Sequence, residues 1–277
     1  MLEASLISAR LLQYAGAMIL MGSSLFALYA LRPAPVASRH SALRRLLLAS
    51  SATLLLATIV GLGAQTSLLA GSLSEGLRWD TLLAVATGMS LGKAAMVRMI
   101  MAALALMAIA ILRQARPIAM AGALSGTIAV ASLAWMGHAA AGEGWTGTIH
   151  LLSDVVHVLA AAVWLGALAG FLLLLLARPR DTANSQLTYK VLHGFSGLGS
   201  IAVATLVLTG LINAWVLVGP NRISSLWTDQ YGRLLVLKIF LFTGMVALAA
   251  VNRVRLTPSL GAALQSGHAG GSRLGVV

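Results

Sequence analysis

The chain has 277 residues, 59% of them apolar and 9% charged, with a mean hydropathy of +0.91. A water-soluble domain carries roughly 25% charged residues, so a soluble globular protein is excluded. The formal net charge of +12 comes from 19 Lys and Arg against 7 Asp and Glu. These cations are spread thinly between long apolar runs instead of gathering on one hydrophilic face, which argues against a nucleic-acid partner and for an integral membrane protein with cationic loops on one side. The chain has no cysteine, which removes disulfides, thiolate metal sites, iron–sulfur clusters and cysteine nucleophiles together. Six His and eleven Met are left for soft-metal chemistry.

A helix needs about 20 apolar residues to cross the hydrocarbon layer. The sequence predicts seven such spans in an all-α, polytopic bundle: 11–31, 46–73, 92–112, 117–137, 148–177, one within 191–218 and one within 233–251. The first is longer than the roughly 7–15 apolar residues of a signal peptide and reads as a retained helix. The third takes in Lys93 and Arg98. The fourth opens on Pro117, which a first helical turn accepts because its missing N–H has no partner there in any case. The fifth is interrupted by His150, Asp154 and His157, and the seventh carries Lys238 near its start. Gly122-x-x-x-Gly126 and Gly166-x-x-x-Gly170 are small-residue spacings that permit close helix approach.

The loops alternate in charge. Arg32, Arg39, Arg44 and Arg45 follow the first span, Arg113 and Arg116 the third, Arg178, Arg180 and Lys190 the fifth, and Arg253 and Arg255 the seventh. By the positive-inside rule these are cytoplasmic, which puts the N-terminus outside and the C-terminus inside. The expected organisation is one membrane domain over 1–258, followed by a poorly ordered, Gly- and Ser-rich cytoplasmic tail over 259–277.

Ionisable groups inside a bilayer are costly and point to function. At about 100° per residue, His150, Asp154 and His157 lie near 0°, 40° and −20° on one face, spread over roughly 10 Å of depth. Trp164 continues that face. His138 closes the fourth span, and a short loop containing Glu143 leads back to the fifth. A cluster of His138, His150, Asp154 and His157 near the outer mouth is therefore expected. Imidazole with carboxylate suits Cu(II), Zn or Ni, and thioether moves the preference toward Cu(I). Met18 and Met21, Met96 and Met99 are i, i+3 pairs that could add thioether, as could Met136, although Met is also a gap-filler of apolar helices. An ion pair from Asp154 to Arg98 or Lys238 competes with ligation and can also coexist with it. Bis-His haem needs imidazoles on different helices, which His150 and His157 are not, and His193 at the cytoplasmic start of the sixth span has no partner at its depth. Asn213 reads first as an interhelical hydrogen-bonding group. The chain contains no HExxH, nucleophile elbow or P-loop, so neither an enzyme nor an ATP-driven pump is expected.

The ordered segments Gly137-His138, HLLSDVVHVLAAAVWLGAL over 150–168, Phe195-Ser196, TGLINAW over 209–215, YGRLLVLK over 231–238 and Asn252-Arg253 resemble the CopD/PcoD family of bacterial copper-resistance inner-membrane proteins. The resemblance covers about the C-terminal half. It implies copper movement from periplasm to cytoplasm, a periplasmic copper carrier as donor, His138, His150, Asp154 and His157 as the family's His/Asp positions, and Lys238 as its basic position. It also implies an eighth hydrophobic span, which the closing GHAGGSRLGVV does not supply. A membrane copper-binding or assembly factor, or a haem-containing electron carrier, are the alternatives. Copper oxidation state and oligomeric state are left open.

Overall fold

A computed structural model describes residues 2–30, 37–137, 142, 144–176, 182–219, 229–259 and 261–262. Seven helices are long and apolar enough to cross a membrane, in the expected places. They are α1 (Leu2–Ala30), α2 (Ala37–Ala70), α5 (Ser90–Ile111), α6 (Ala115–Ser132, continued by a 3₁₀ turn over Leu133–Met136), α7 (Gly144–Leu176), α8 (Thr182–Val218) and α9 (Gln230–Val251, continued by a π-helical turn over Asn252–Leu256). Two short helices, α3 (Leu73–Gly76) and α4 (Trp79–Gly88), form the connection between the second and third spans.

Local chemistry explains these boundaries. At Gly71, just past the end of α2, φ is +77°, a left-handed conformation that ends a helix at little cost for glycine. The Ser72 side chain then caps α3 by accepting from the Glu75 amide at 3.2 Å. Along α2 the hydroxyls of Ser50, Ser51, Thr58 and Ser67 donate to carbonyls four residues back at 2.6–2.8 Å, so these four polar residues sit in the span with their donors met. Arg44 reaches the last carbonyls of α5, with Nε to Ile109 O at 3.1 Å and Nη2 to Ala110 O at 2.8 Å. A cation read from the sequence as topology thus also closes a helix C-terminus.

The chain divides into two compact units, residues 1–173 and 174–277. In the first, α1 packs against α2 and α6, and α5 packs against the same two helices. The core, with Leu20, Leu47, Ala102, Ile109, Val130 and Leu133 fully buried, runs between them. α7 joins through α1. Any Cβ at Gly22 would strike the Ala162 carbonyl, and any at Gly166 would strike the Gly22 backbone. One turn further along, Gly170 lies on the Phe26 ring, and Phe26 meets Phe171 edge-on with centroids 5.1 Å apart. Contacts advance together on both chains, so α1 and α7 run parallel. On α6, Gly122 faces Ser24, and a Cβ at Gly126 would fall 2.6 Å from the Met21 nitrogen. Both small-residue motifs therefore close on the same helix, α1.

In the second unit, Arg253 donates to the Ser200 hydroxyl, and Gly261 lies under the Tyr189 ring. Replacing Gly166 with Ala should destabilise the protein by at least about 1–3 kcal/mol, because the obstacle is backbone and cannot swing aside. Gly244→Ala, where a Cβ meets nothing within 4 Å, should shift stability by less than about 1 kcal/mol. Thermal unfolding of the purified variants measures both.

Candidate functional site

The stripe on α7 exists as the helical spacing requires. His150 is 5% exposed, and Asp154 and His157 are half-buried. Trp164, 7% exposed, ends the stripe with a buried indole Nε1–H that has no hydrogen-bond partner. Asp154 also begins the i, i+4 row Asp154, Val158, Ala162, Gly166 and Gly170, whose later members pack against α1. The carboxylate is thereby carried toward α1, where the half-buried Tyr14 lies close enough to Asp154, Arg98 and Arg10 to feel all three charges.

Among the described cations of the first unit, Arg98 is the most buried, at 2% exposed. It turns to α6, where its Nη1 donates to the Ser132 carbonyl at 2.9 Å and to the Ser132 hydroxyl at 3.3 Å. The hydroxyl in turn donates to Ala129 O at 2.7 Å. The expected pairing of Arg98 with Asp154 is thus replaced by a backbone carbonyl, and the ionisable group that acts on Arg98 is the Tyr14 hydroxyl. Lys238 belongs to the second unit and is exposed on α9; Asn213 is half-buried on α8. His193 is exposed there, 6.0 Å between ring centroids from Tyr189. His138 and Glu143 lie outside the described residues.

Among the described residues, no three His, Cys, Asp or Glu side chains are grouped so as to hold one metal ion. Helical spacing accounts for part of this: the i, i+4 pair His150/Asp154 and the i, i+3 pair Asp154/His157 can each share one ion, but His150 and His157 stand roughly 10 Å apart along the axis, so the three form a ladder of overlapping pairs instead of one three-ligand centre. The methionines divide. Met21 is buried in the core against Gly126, Met18 packs against that core, Met96 is 37% exposed on the outside of α5, Met99 is half-buried, and Met136 lines a partly open cleft.

Sequence reading missed Arg10, Gln13, Tyr14 and Gln65. A charge search began the first span at Leu11, whereas α1 starts at Leu2 and carries Arg10 inside it. Arg10 is tolerated because its Nη2 donates to Gln65 Oε1 at 3.2 Å, and Gln13 because its Nε2 donates to Ala57 O at 3.1 Å. The available signal was the i, i+3 spacing of Arg10 and Gln13, which puts two polar residues on one helix face.

Two family models match the chain: copper resistance protein D-like, N-terminal domain, over residues 1–148, and copper resistance protein D over residues 189–277. The first extends the likeness into the half where the sequence motifs are sparse. Copper resistance protein D of Pseudomonas syringae pv. tomato is 35% identical over 271 residues, covering 95% of this chain and 85% of that protein. Inner membrane protein YebZ of Escherichia coli is 35% identical over 132 residues, 46% of this chain and 42% of its own length. Copper transport protein CutJ of Bacillus subtilis is 31% identical over 119 residues, 43% of this chain and 21% of its own. No solved structure matches.

The Arg98 contacts set a graded expectation. Ser132→Ala removes only the longer hydroxyl bond and should cost about 0.5–1.5 kcal/mol. Arg98→Ala strands the Ser132 carbonyl and opens a void, and should cost about 3 kcal/mol or more. Denaturation of the two variants in the same detergent measures the difference.

Proposed function

The chain belongs to the copper resistance protein D family, and from that premise we propose that it carries copper across the bacterial inner membrane, from periplasm to cytoplasm. The observation that supports this reading is the α7 ladder of buried His150, half-buried Asp154 and half-buried His157, held on the first unit by the Gly166 and Gly170 contacts with α1. A membrane helix has no structural need for three ionisable groups on one stripe.

Copper is cargo in this reading. It arrives at the outer face from a periplasmic carrier, is received by His138 and His150 with Glu143 beside them, and passes to Asp154 and His157. Each imidazole binds through a neutral ring nitrogen, and Asp154 contributes anionic oxygen. Ligands on successive levels each hold the ion with few donors, which favours onward exchange over storage. Trp164, one step deeper on the same stripe, offers an apolar wall and an N–H where the ladder ends. No nucleotide-binding motif is present in the sequence, and the driving force in this reading is the copper gradient or transfer from the donor. An assembly factor that receives copper without moving it is the contrasting outcome of the test.

In proteoliposomes, copper entry through the His150→Ala/His157→Ala variant should fall by at least about 10–100-fold relative to the wild type, the scale of losing even a hydrogen-bonded partner of a metal ligand. Unchanged entry would remove this ladder from the route, and absence of entry in the wild type would leave the hand-over role. Orientation is tested separately on a background with no native cysteine. A Glu3→Cys variant should react with an impermeant maleimide in spheroplasts, and an Arg113→Cys variant only after permeabilisation.

A further inference from the structure

A partly open cleft of ≈ 80 Å³ lies in the first unit between α1, α2, α5 and the 3₁₀ turn after α6. Its polar lining is Arg10, Gln13, Thr58, Gln65 and Arg98, with Met136 beside them and no carboxylate among the lining residues. None of these residues belongs to the α7 ladder. Thr58 is satisfied within α2 by Leu54 O at 2.6 Å. Arg10, Gln13 and Arg98 each make one set of contacts, to Gln65, Ala57 and Ser132. Each also keeps one buried atom with no partner: Arg10 Nε, Gln13 Oε1 and Arg98 Nε.

The chemistry of those three atoms defines an occupant. Two are donors on permanently charged guanidiniums, and one is an amide acceptor. Buried unpaired donors on cations are strongly unfavourable and call for an acceptor that also carries negative charge. Arg98 is 2% exposed, and no carboxylate borders the cleft beside it. Arg10 is only half-buried and keeps part of its field in water, so about one unit of negative charge is wanted. Gln13 Oε1, also on a side chain 2% exposed, would repel an anion directly but accepts from a water. A cleft of ≈ 80 Å³ has room for a small anion together with such a water, and the charge balance, not the volume, selects one negative charge. We propose that this cleft is a binding site for a small monovalent anion of the halide or carboxylate class, held by Arg10 and Arg98. The site is independent of copper. Tyr14 connects the two regions, being within charge range of both Arg98 and Asp154, so a bound anion would reduce the positive field that an incoming metal cation meets.

The test uses the full chain in zwitterionic nanodiscs, stripped of copper by chelation, in gluconate buffer of fixed ionic strength. Titrating chloride and following the 35Cl resonance should give an excess line width that saturates and that bromide or formate removes. Arg98→Gln should abolish the excess, and Arg10→Gln should weaken the apparent affinity about tenfold, as expected for one charge-assisted contact. Broadening that rises without saturation in the wild type, or that is the same in Arg10→Gln, would overturn the proposal and leave a water-filled cleft. Sulfate competing as strongly as bromide would overturn the monovalent assignment. Should Arg98→Gln fail to give a monodisperse protein, the wild-type competition series and Arg10→Gln decide by themselves.

Discussion

Much of the first unit depends on one contact, the backbone-to-backbone crossing of α1 and α7 at Gly22 and Gly166. Lipid tails are as apolar as leucine, so helices in a bilayer gain little from burying apolar side chains against each other and associate through close packing. Here the packing has no spare room: neither glycine tolerates a Cβ. The crossing fixes the rotation of α7 about its axis. Rotation decides that Asp154, three i, i+4 steps before Gly166, is brought toward α1 and Tyr14 instead of toward lipid. The same helix α1 receives Gly122 and Gly126 of α6 on another side. One helix therefore sets the position of the ladder and, through α6, of Ser132, which holds Arg98.

The second organising constraint is that polar groups in this environment must find partners inside the protein. Three solutions appear. Hydroxyls on α2 bond back to their own helix. Arginine forks attach to backbone carbonyls, as Arg44 does at the end of α5 and Arg98 does at Ser132. Side-chain amides bridge helices, as Gln13 and Gln65 do. Where these run out, atoms are left over: Ser24 Oγ and Trp164 Nε1 stand singly in the first unit, whereas Arg10, Gln13 and Arg98 all border one cleft. Leftover donors on two cations around a shared space are what the proposed anion would satisfy.

The sequence made the helices plain and their neighbours obscure. Seven apolar runs were legible because span length is imposed by the bilayer, and the α7 stripe was legible because helical periodicity needs no partner to be computed. The Gly-x-x-x-Gly spacings of α6 and α7 were visible too, but not that both meet α1, whose side of the contact is Gly22 with Met21, Ser24 and Phe26, residues with no repeated small-residue spacing. Arg10 was lost for the opposite reason: a search for uncharged stretches places a boundary at every cation, and Arg10 is inside the helix because Gln65, 55 residues away in sequence, accepts from it. Lys238 and Arg98 looked alike from sequence, each a cation one to two turns into a span. Their surroundings differ, since Arg98 is fully enclosed and Lys238 is exposed on its helix, and burial of a single position within an apolar run is not a property of that run.

The ladder geometry bears on what kind of copper protein this family member is. A storage or catalytic metal centre gathers three or four ligands at one level, usually from several helices, because affinity grows with each donor that needs no reorganisation. His150, Asp154 and His157 cannot do so alone, since they climb one helix with roughly 10 Å between the first and the last. In the proposed route, an ion held by one neighbouring pair would find the next ligand within a step, which would keep each stop shallow, as conduction requires when binding must be favourable enough to enter and weak enough to leave. On that route the charge of Arg98, which Tyr14 feels together with that of Asp154, would oppose the accumulation of metal cations beside the carboxylate, and an anion seated beside Arg98 would tune how strongly.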